Sequence, residues 1–154
     1  MKFICDQMLA QLGRWLRCAG YDTLIVDNGI ADSEIMELAR KENRRLLTKD
    51  RHFLKMKENG LVIHLTTNSS IEHCVRELNQ KLEINWTLHP FSRCLVCNQV
   101  LKEIDREKIT AKIPEGVKKS TVQFWICPDC NRIYWEGSHT DKMRKTLESF
   151  SKLT

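Results

Sequence analysis

Two sets of side chains in this sequence have the types and spacing to do chemistry. The first is a pair of Cys-x-x-Cys segments, Cys94-Leu95-Val96-Cys97 and Cys127-Pro128-Asp129-Cys130. Each can present two thiolates to one tetrahedral ion from a tight turn, and the 29 residues between them suit a hairpin-like excursion that returns the chain to the metal. A redox dithiol or four unrelated buried thiols are the competing readings, but two such pairs in one basic segment favour a structural Zn²⁺ site of ribbon type. Cys5, Cys18 and Cys74 lie scattered on apolar stretches and read as core thiols.

The second set is acidic. Asp6 follows the apolar run Phe3-Ile4-Cys5, Asp32 precedes the helical pattern of Ile35, Leu38 and Ala39, and Asp50 follows Leu46-Leu47-Thr48. Three carboxylates gathered in one place repel one another unless protons or a divalent cation neutralise them, and hard Mg²⁺ or Mn²⁺ prefers such oxygen ligands. Metal held this way can activate water and stabilise charge on a phosphodiester. Asp is equally a favoured helix N-cap, and each of the three precedes a predicted helix, so capping remains an alternative at every position. Lys49 and Arg51 flank Asp50 and could hold a substrate phosphate, while Arg14 and Arg17 could extend a basic rim; otherwise all four are solvated charges. His52, His64 and His73 have no metal-ligand spacing to one another.

The elements that must position these groups follow from periodicity. Residues 2–5, 22–26, 45–48 and 61–65 read as strands, and between and after them apolar residues recur at helical spacing: Met8, Leu9, Leu12, Trp15, Leu16 and Ala19 up to Gly20; Ile35, Leu38 and Ala39 after an Asn28-Gly29 turn; a short helix with Phe53 and Leu54; and Ile71, Val75, Leu78 and Leu82. Alternating strand and helix predict an α/β fold, a parallel sheet flanked by helices with right-handed crossovers. In such a sheet Asp6, Asp32 and Asp50 fall on the carboxyl edge, where open α/β folds place ligands. Periodicity stops at the run ending in His89-Pro90. This divides the chain into residues 1–87 and a small zinc-ribbon β domain at 88–154 with a short C-terminal helix.

Charge follows the same division. Residues 1–87 carry 13 basic and 12 acidic side chains, and 88–154 carry 12 and 8. Lys118-Lys119, Lys142, Arg144 and Lys145 flank Phe124-Trp125 and Tyr134-Trp135, so the second half reads either as a nucleic-acid clamp or as a small aromatic core with solvated lysines. No stretch reaches the ~20 apolar residues of a membrane span. The opening run of apolar residues is too short for a signal peptide, and the expectation is a cytoplasmic protein.

Phe3-Ile4-Cys5-Asp6-Gln7-Met8-Leu9, Leu12-Gly13-Arg14-Trp15-Leu16-Arg17 with Gly20-Tyr21-Asp22-Thr23, Leu46-Leu47-Thr48-Lys49-Asp50-Arg51, the four cysteines and Ile133-Tyr134-Trp135-Glu136-Gly137-Ser138-His139 together resemble the Mut-seven C-terminal RNase family. That family joins a PIN-like nuclease domain to a zinc ribbon. The resemblance implies that Asp6, Asp32 and Asp50 hold catalytic Mg²⁺ or Mn²⁺, that RNA is the substrate, and that His139 touches RNA or serves the ribbon. PIN nucleases usually supply a further acid that has no clear equivalent here, with Asp27 or Glu34 as substitutes. A homodimer is compatible with the family's habit of pairing, and protein partners are unspecified. The reading is therefore a metal-dependent endoribonuclease for single-stranded or loop RNA. The runner-up is a weakly active or inactive RNA-binding adaptor on the same scaffold. A phosphoryl-transfer receiver is weaker still, because Asp6 lacks an acidic neighbour.

Overall fold

The computed structural model describes all residues except 28, 57, 59, 67–69, 119–121 and 154, and leaves the Lys118 side chain undescribed. Asn28 of the expected turn and Lys119 of the basic pair therefore lie outside the described residues. Strands β1 (Lys2–Cys5), β2 (Asp22–Ile25), β3 (Arg45–Thr48) and β4 (Val62–His64) form a wholly parallel sheet of order β2-β1-β3-β4. They alternate with helices α1 (Ala10–Cys18), α2 (Asp32–Glu42) and α3 (Ile71–Lys81), and with a 3-10 turn at Arg51–Met56 where the short helix was expected.

Side chains alternate across β1 and β3 and so feed two cores. Phe3, Cys5 and Leu47 face α1 and α3 together with Leu12, Leu16, Val75 and Leu78; Ile4 and Leu46 face α2 with Ile35, Met36 and Ala39. Both faces are covered, which is why these strands read as continuous apolar runs. Helix α1 lies close to the sheet because residue 13 is glycine: a Cβ there would stand 2.8 Å from Ile25 Cγ1.

The second half holds an antiparallel sheet of β5 (Lys102–Ile104), β6 (Phe124–Ile126) and β7 (Ile133–Trp135), with a one-turn helix α4 (Glu115–Lys118) before β6. Phe124, Ile109 and Ile113 form its core, with Ile104, Ile133 and Trp135 packed against them. The last helix, α5 (Ser138–Phe150), leaves this sheet and sends Leu147 and Phe150 into the core beneath α1 and α3. Phe150 meets the rings of Trp15 and Trp86 edge to face at 5.2 and 5.1 Å, and the Asn79 side-chain amide donates to the carbonyls of Phe150 and Leu153. An aromatic pair of this geometry contributes about 0.5–1.5 kcal/mol beyond its buried area.

Candidate active site and zinc centre

The carboxyl edge of the parallel sheet carries the acids. Asp6 follows β1 directly, and its carboxylate is held by three donors: Leu9 N at 3.0 Å on Oδ1, and Thr48 Oγ1 at 2.6 Å and Lys49 N at 3.1 Å on Oδ2. Asp6 thus caps the 3-10 turn that leads into α1 and at the same time ties β1 to the end of β3. The capping role is therefore real, and the residue lies on the carboxyl edge of the sheet. Thr48 connects it to the next acid, since its hydroxyl also accepts from Asp50 N at 3.0 Å.

Asp50 is exposed, and its Oδ1 accepts from His52 N at 2.7 Å, which opens the 3-10 turn at Arg51. Asp32 is the first residue of α2, after Ala31 in the cap position, and its Oδ2 stands 3.9 Å from His52 Nε2. Asp27 and Glu34 are both exposed, one just beyond β2 and the other in the first turn of α2. The carboxylate donors are the chemistry a hard divalent cation takes. They are not drawn into one cluster, however. Among the described residues, the four cysteines are the only group in which three or more ligand atoms lie within 4.8 Å of one another.

Of the cations expected around this edge, Arg51 and Arg14 are exposed and Lys49 is half-buried. Lys49 contributes its backbone: the amide to Asp6, and the carbonyl to His64 Nε2 at 3.0 Å. Arg17 corrects the expectation of a basic rim. It is 5% exposed, and its guanidinium donates to the carbonyls of Thr23 at 2.8 Å, Leu95 at 3.0 Å and Val96 at 2.7 Å. It clamps the first cysteine knuckle to the main body and is not available to substrate.

Sequence reasoning assigned no role to Thr48, which bridges two acids, or to His52, which approaches Asp32. The signal for Thr48 was its place in Thr-x-Asp, where a hydroxyl two residues before an acid can accept from that acid's amide. His52 left no comparable signal, because its neighbour Asp32 comes from a distant helix.

The cysteine centre is built by two equivalent knuckles. In the first, Asn98 N donates to Cys94 O and Cys94 N to Gln99 O; in the second, Asn131 N donates to Cys127 O and Cys127 N to Arg132 O. Asn98 and Asn131 adopt φ of 71° and 56°, a left-handed conformation that Asn tolerates better than most residues. The repeated Cys-x-x-Cys-Asn is visible in the sequence. Sulfur separations are 3.6 Å for Cys94–Cys130 and 3.2 Å for Cys97–Cys127. A tetrahedral ion with Zn–S bonds of about 2.3 Å spaces its thiolates by about 3.8 Å, so the four sulfurs fit zinc.

Surrounding groups suit the negative charge of a tetrathiolate. The Tyr134 hydroxyl accepts from Leu95 N and points at Cys94 Sγ, 3.1 Å away. Burial pushes the Cys94 thiol up, but Tyr134 and the amides of Cys97 and Val96 outweigh it and bring it down to about 6. Burial pushes Cys97 up, to about 12, with the three neighbouring thiols adding to the effect; a bound cation supplies the charge that would deprotonate it.

The two centres lie at opposite ends of the parallel sheet. Helix α1 starts at the acid edge beside Leu9 and ends at Cys18, and the ribbon segment docks there and on the turn that follows: Phe91 N donates to Cys18 O and Arg93 Nε to Gly20 O. Gly20 has φ +100°, and a Cβ there would lie 2.5 Å from His89 O. Asn98 completes the joint, its side chain accepting from Thr23 N and donating to Asp22, which also pairs with the buried Arg44. His139 sits beyond this joint, exposed in the first turn of α5.

A family model described as the Mut7-C RNAse domain matches residues 1–147. The chain belongs to the Mut7-C RNase domain family. A human protein, "Exonuclease mut-7 homolog", is 30% identical over 101 residues, which cover 63% of this chain and 12% of that protein. The Mut7-C chain thus matches only a small part of its relative's length. No solved structure matches it. Membership places the chain among nuclease-type domains, with the four-cysteine cluster compatible with a structural zinc ion.

Proposed function

We propose that this Mut7-C domain is a metal-dependent ribonuclease that cuts single-stranded or loop RNA endonucleolytically. The observation that carries the reading is the bonded chain Asp6–Thr48–Asp50 at the carboxyl edge of a parallel sheet, in a member of an RNase family. Asp6, Asp50 and Asp32 would hold Mg²⁺ or Mn²⁺, with Asp27 or Glu34 as a further ligand. When bound, such an ion lowers the pKa of water and screens charge on the phosphodiester. The protein's part is to fix Asp6 through three donors, to aim Asp50 through Thr48, and to offer Arg14, Lys49 and Arg51 to the RNA backbone.

Under the same reading, residues 1–87 form the nuclease unit and 88–154 the ribbon unit, which helps to hold RNA. The thiol-built zinc site suits a reducing compartment such as the cytoplasm. No helix among the described residues is long and apolar enough to cross a membrane. A homodimer, as the family resemblance suggests, is read by light scattering.

The test is cleavage of linear and circular RNA with Mn²⁺. Cutting of the circle, lost in Asp6→Asn, supports the endonuclease; cutting from ends alone assigns the exonuclease mode that the human relative's name carries. An RNA-binding adaptor is the second reading, favoured by the absence of a preassembled acid cluster among the described residues. Salt-dependent RNA binding without cutting in any divalent metal would select it.

A further inference from the structure

A cavity of about 630 Å³ opens between β7, the first turn of α5 and the segment 90–95. That volume lies in the range typical of small-molecule sites, about 300–1,000 Å³. Phe91, Trp125, Tyr134 and Trp135 line it. Strand register explains part of this wall. Trp125 pairs with Tyr134 across β6 and β7, and alternation turns both away from Phe124, which is buried in the ribbon core.

Trp125 and Tyr134 belong to none of the hydrophobic clusters of the described residues. Tyr134 has a structural task at Cys94, whereas the half-buried ring of Trp125 lines the cavity. Arg144 stands 5.0 Å over the Phe91 ring and braces that wall, itself paired with Glu136. His139, exposed, lines the opening with Ser138.

We propose that this cavity takes one unpaired RNA base, stacked against Trp125 with its polar edge towards His139. The proposal rests on the ribonuclease reading and adds a second grip on the same substrate. Aromatic walls accept any base face, because every base presents a π surface. The excess of basic over acidic side chains in residues 88–154, 12 against 8, favours a polyanion over a neutral apolar ligand. The ribbon docks at the end of the sheet opposite Asp6, beside the C-terminus of α1, a nine-residue helix about 13 Å long that starts at the acid edge. A substrate must therefore be longer than a single nucleotide to engage both ends.

The experiment uses the full zinc-loaded chain without added Mg²⁺ or Mn²⁺. AMP and UMP are titrated with tryptophan fluorescence as readout, and a short fluorescein-labelled single-stranded RNA is followed by anisotropy. Saturable quenching is expected, with RNA affinity falling at least about fivefold in Trp125→Leu, the lower bound for losing one stacked base. Should Trp125→Leu fail to fold, Ser138→Trp adds bulk at an exposed position of the opening and is expected to lower affinity by a similar factor.

Unchanged affinity in every variant that folds, Ser138→Trp alone if Trp125→Leu does not, overturns the proposal. So does an amphipathic peptide that occupies the cavity and is not displaced by nucleotides, since the occupant would then be a protein. Cleavage is scored separately with Mn²⁺. Base binding without cutting sinks the ribonuclease reading and leaves the cavity's ligand standing, while cutting with no effect of either variant does the reverse.

Discussion

The acid edge and the cysteine centre sit at opposite ends of one parallel sheet and differ in what holds them together. Each cysteine knuckle is shaped by its own backbone, and the four sulfurs converge within 4.8 Å. At the acid edge Asp6 is held by three donors, while Asp50 is exposed and Asp32 is approached by an exposed histidine. A structural tetrathiolate has no open position and gains by rigidity, whereas the nuclease role proposed for the acid edge would require it to admit substrate. Arg17 and Asn98 fasten the first knuckle to β2 and α1.

Removing zinc tests that fastening most severely. Structural zinc contributes about 10–16 kcal/mol in finger peptides, so chelation is expected to unfold the ribbon. Because the knuckle is tied to β2, the melting of the parallel sheet, followed by far-ultraviolet circular dichroism, should also move to lower temperature. An unchanged transition would mean that the two ends are independent. Next comes Asp6→Asn. Asn still caps the turn at Leu9, so the fold is retained, but loss of the carboxylate charge should lower Mn²⁺-dependent RNA cleavage by about 100-fold or more. Cleavage within a few-fold of wild type would remove Asp6 from the chemistry.

Arg17→Met keeps most of the buried stem and deletes three donated hydrogen bonds from a charged group. A loss of about 2–3 kcal/mol is expected in urea unfolding, with RNA affinity at constant folded fraction unchanged. A weakened RNA affinity in the folded protein would restore Arg17 to the basic rim. The smallest effect is acidic. Burial raises the Asp22 carboxyl, but hydrogen bonds from Arg44 and Asn98 outweigh it and hold the group below its ordinary range. A lowered folded pKa gives stability that is present above the unfolded value of about 4 and is lost as pH falls through the depressed one. Asp22→Asn should flatten the acid limb of the stability curve. An acid limb identical to wild type would show that Asp22 does not link the joint to pH.

Much of the fold was legible because local periodicity and burial coincide. Leu12 and Leu16 face the sheet at helical spacing, and Phe3 to Cys5 are apolar without a break because both sheet faces are covered. The two knuckles were legible for a similar reason, since each is a short-range turn. Arg17 was misread because a basic residue in an amphipathic helix looks the same whether it meets water or three carbonyls. One of those carbonyls lies six residues away and the other two nearly eighty.

The sequence by itself determined the alternation of strands and helices, the carboxyl-edge position of Asp6 and Asp50, and the two Cys-x-x-Cys knuckles. Each depends on residues within a few positions of one another, where spacing is geometry. Tertiary structure decided that Thr48 bonds Asp6 from another strand, that His52 stands beside Asp32, that α5 returns Phe150 to the core beneath α1, and that the ribbon docks at the edge away from the acids. Those contacts join distant segments. Their partners are selected by packing and hydrogen-bond satisfaction in the folded chain, which no local pattern of residues encodes.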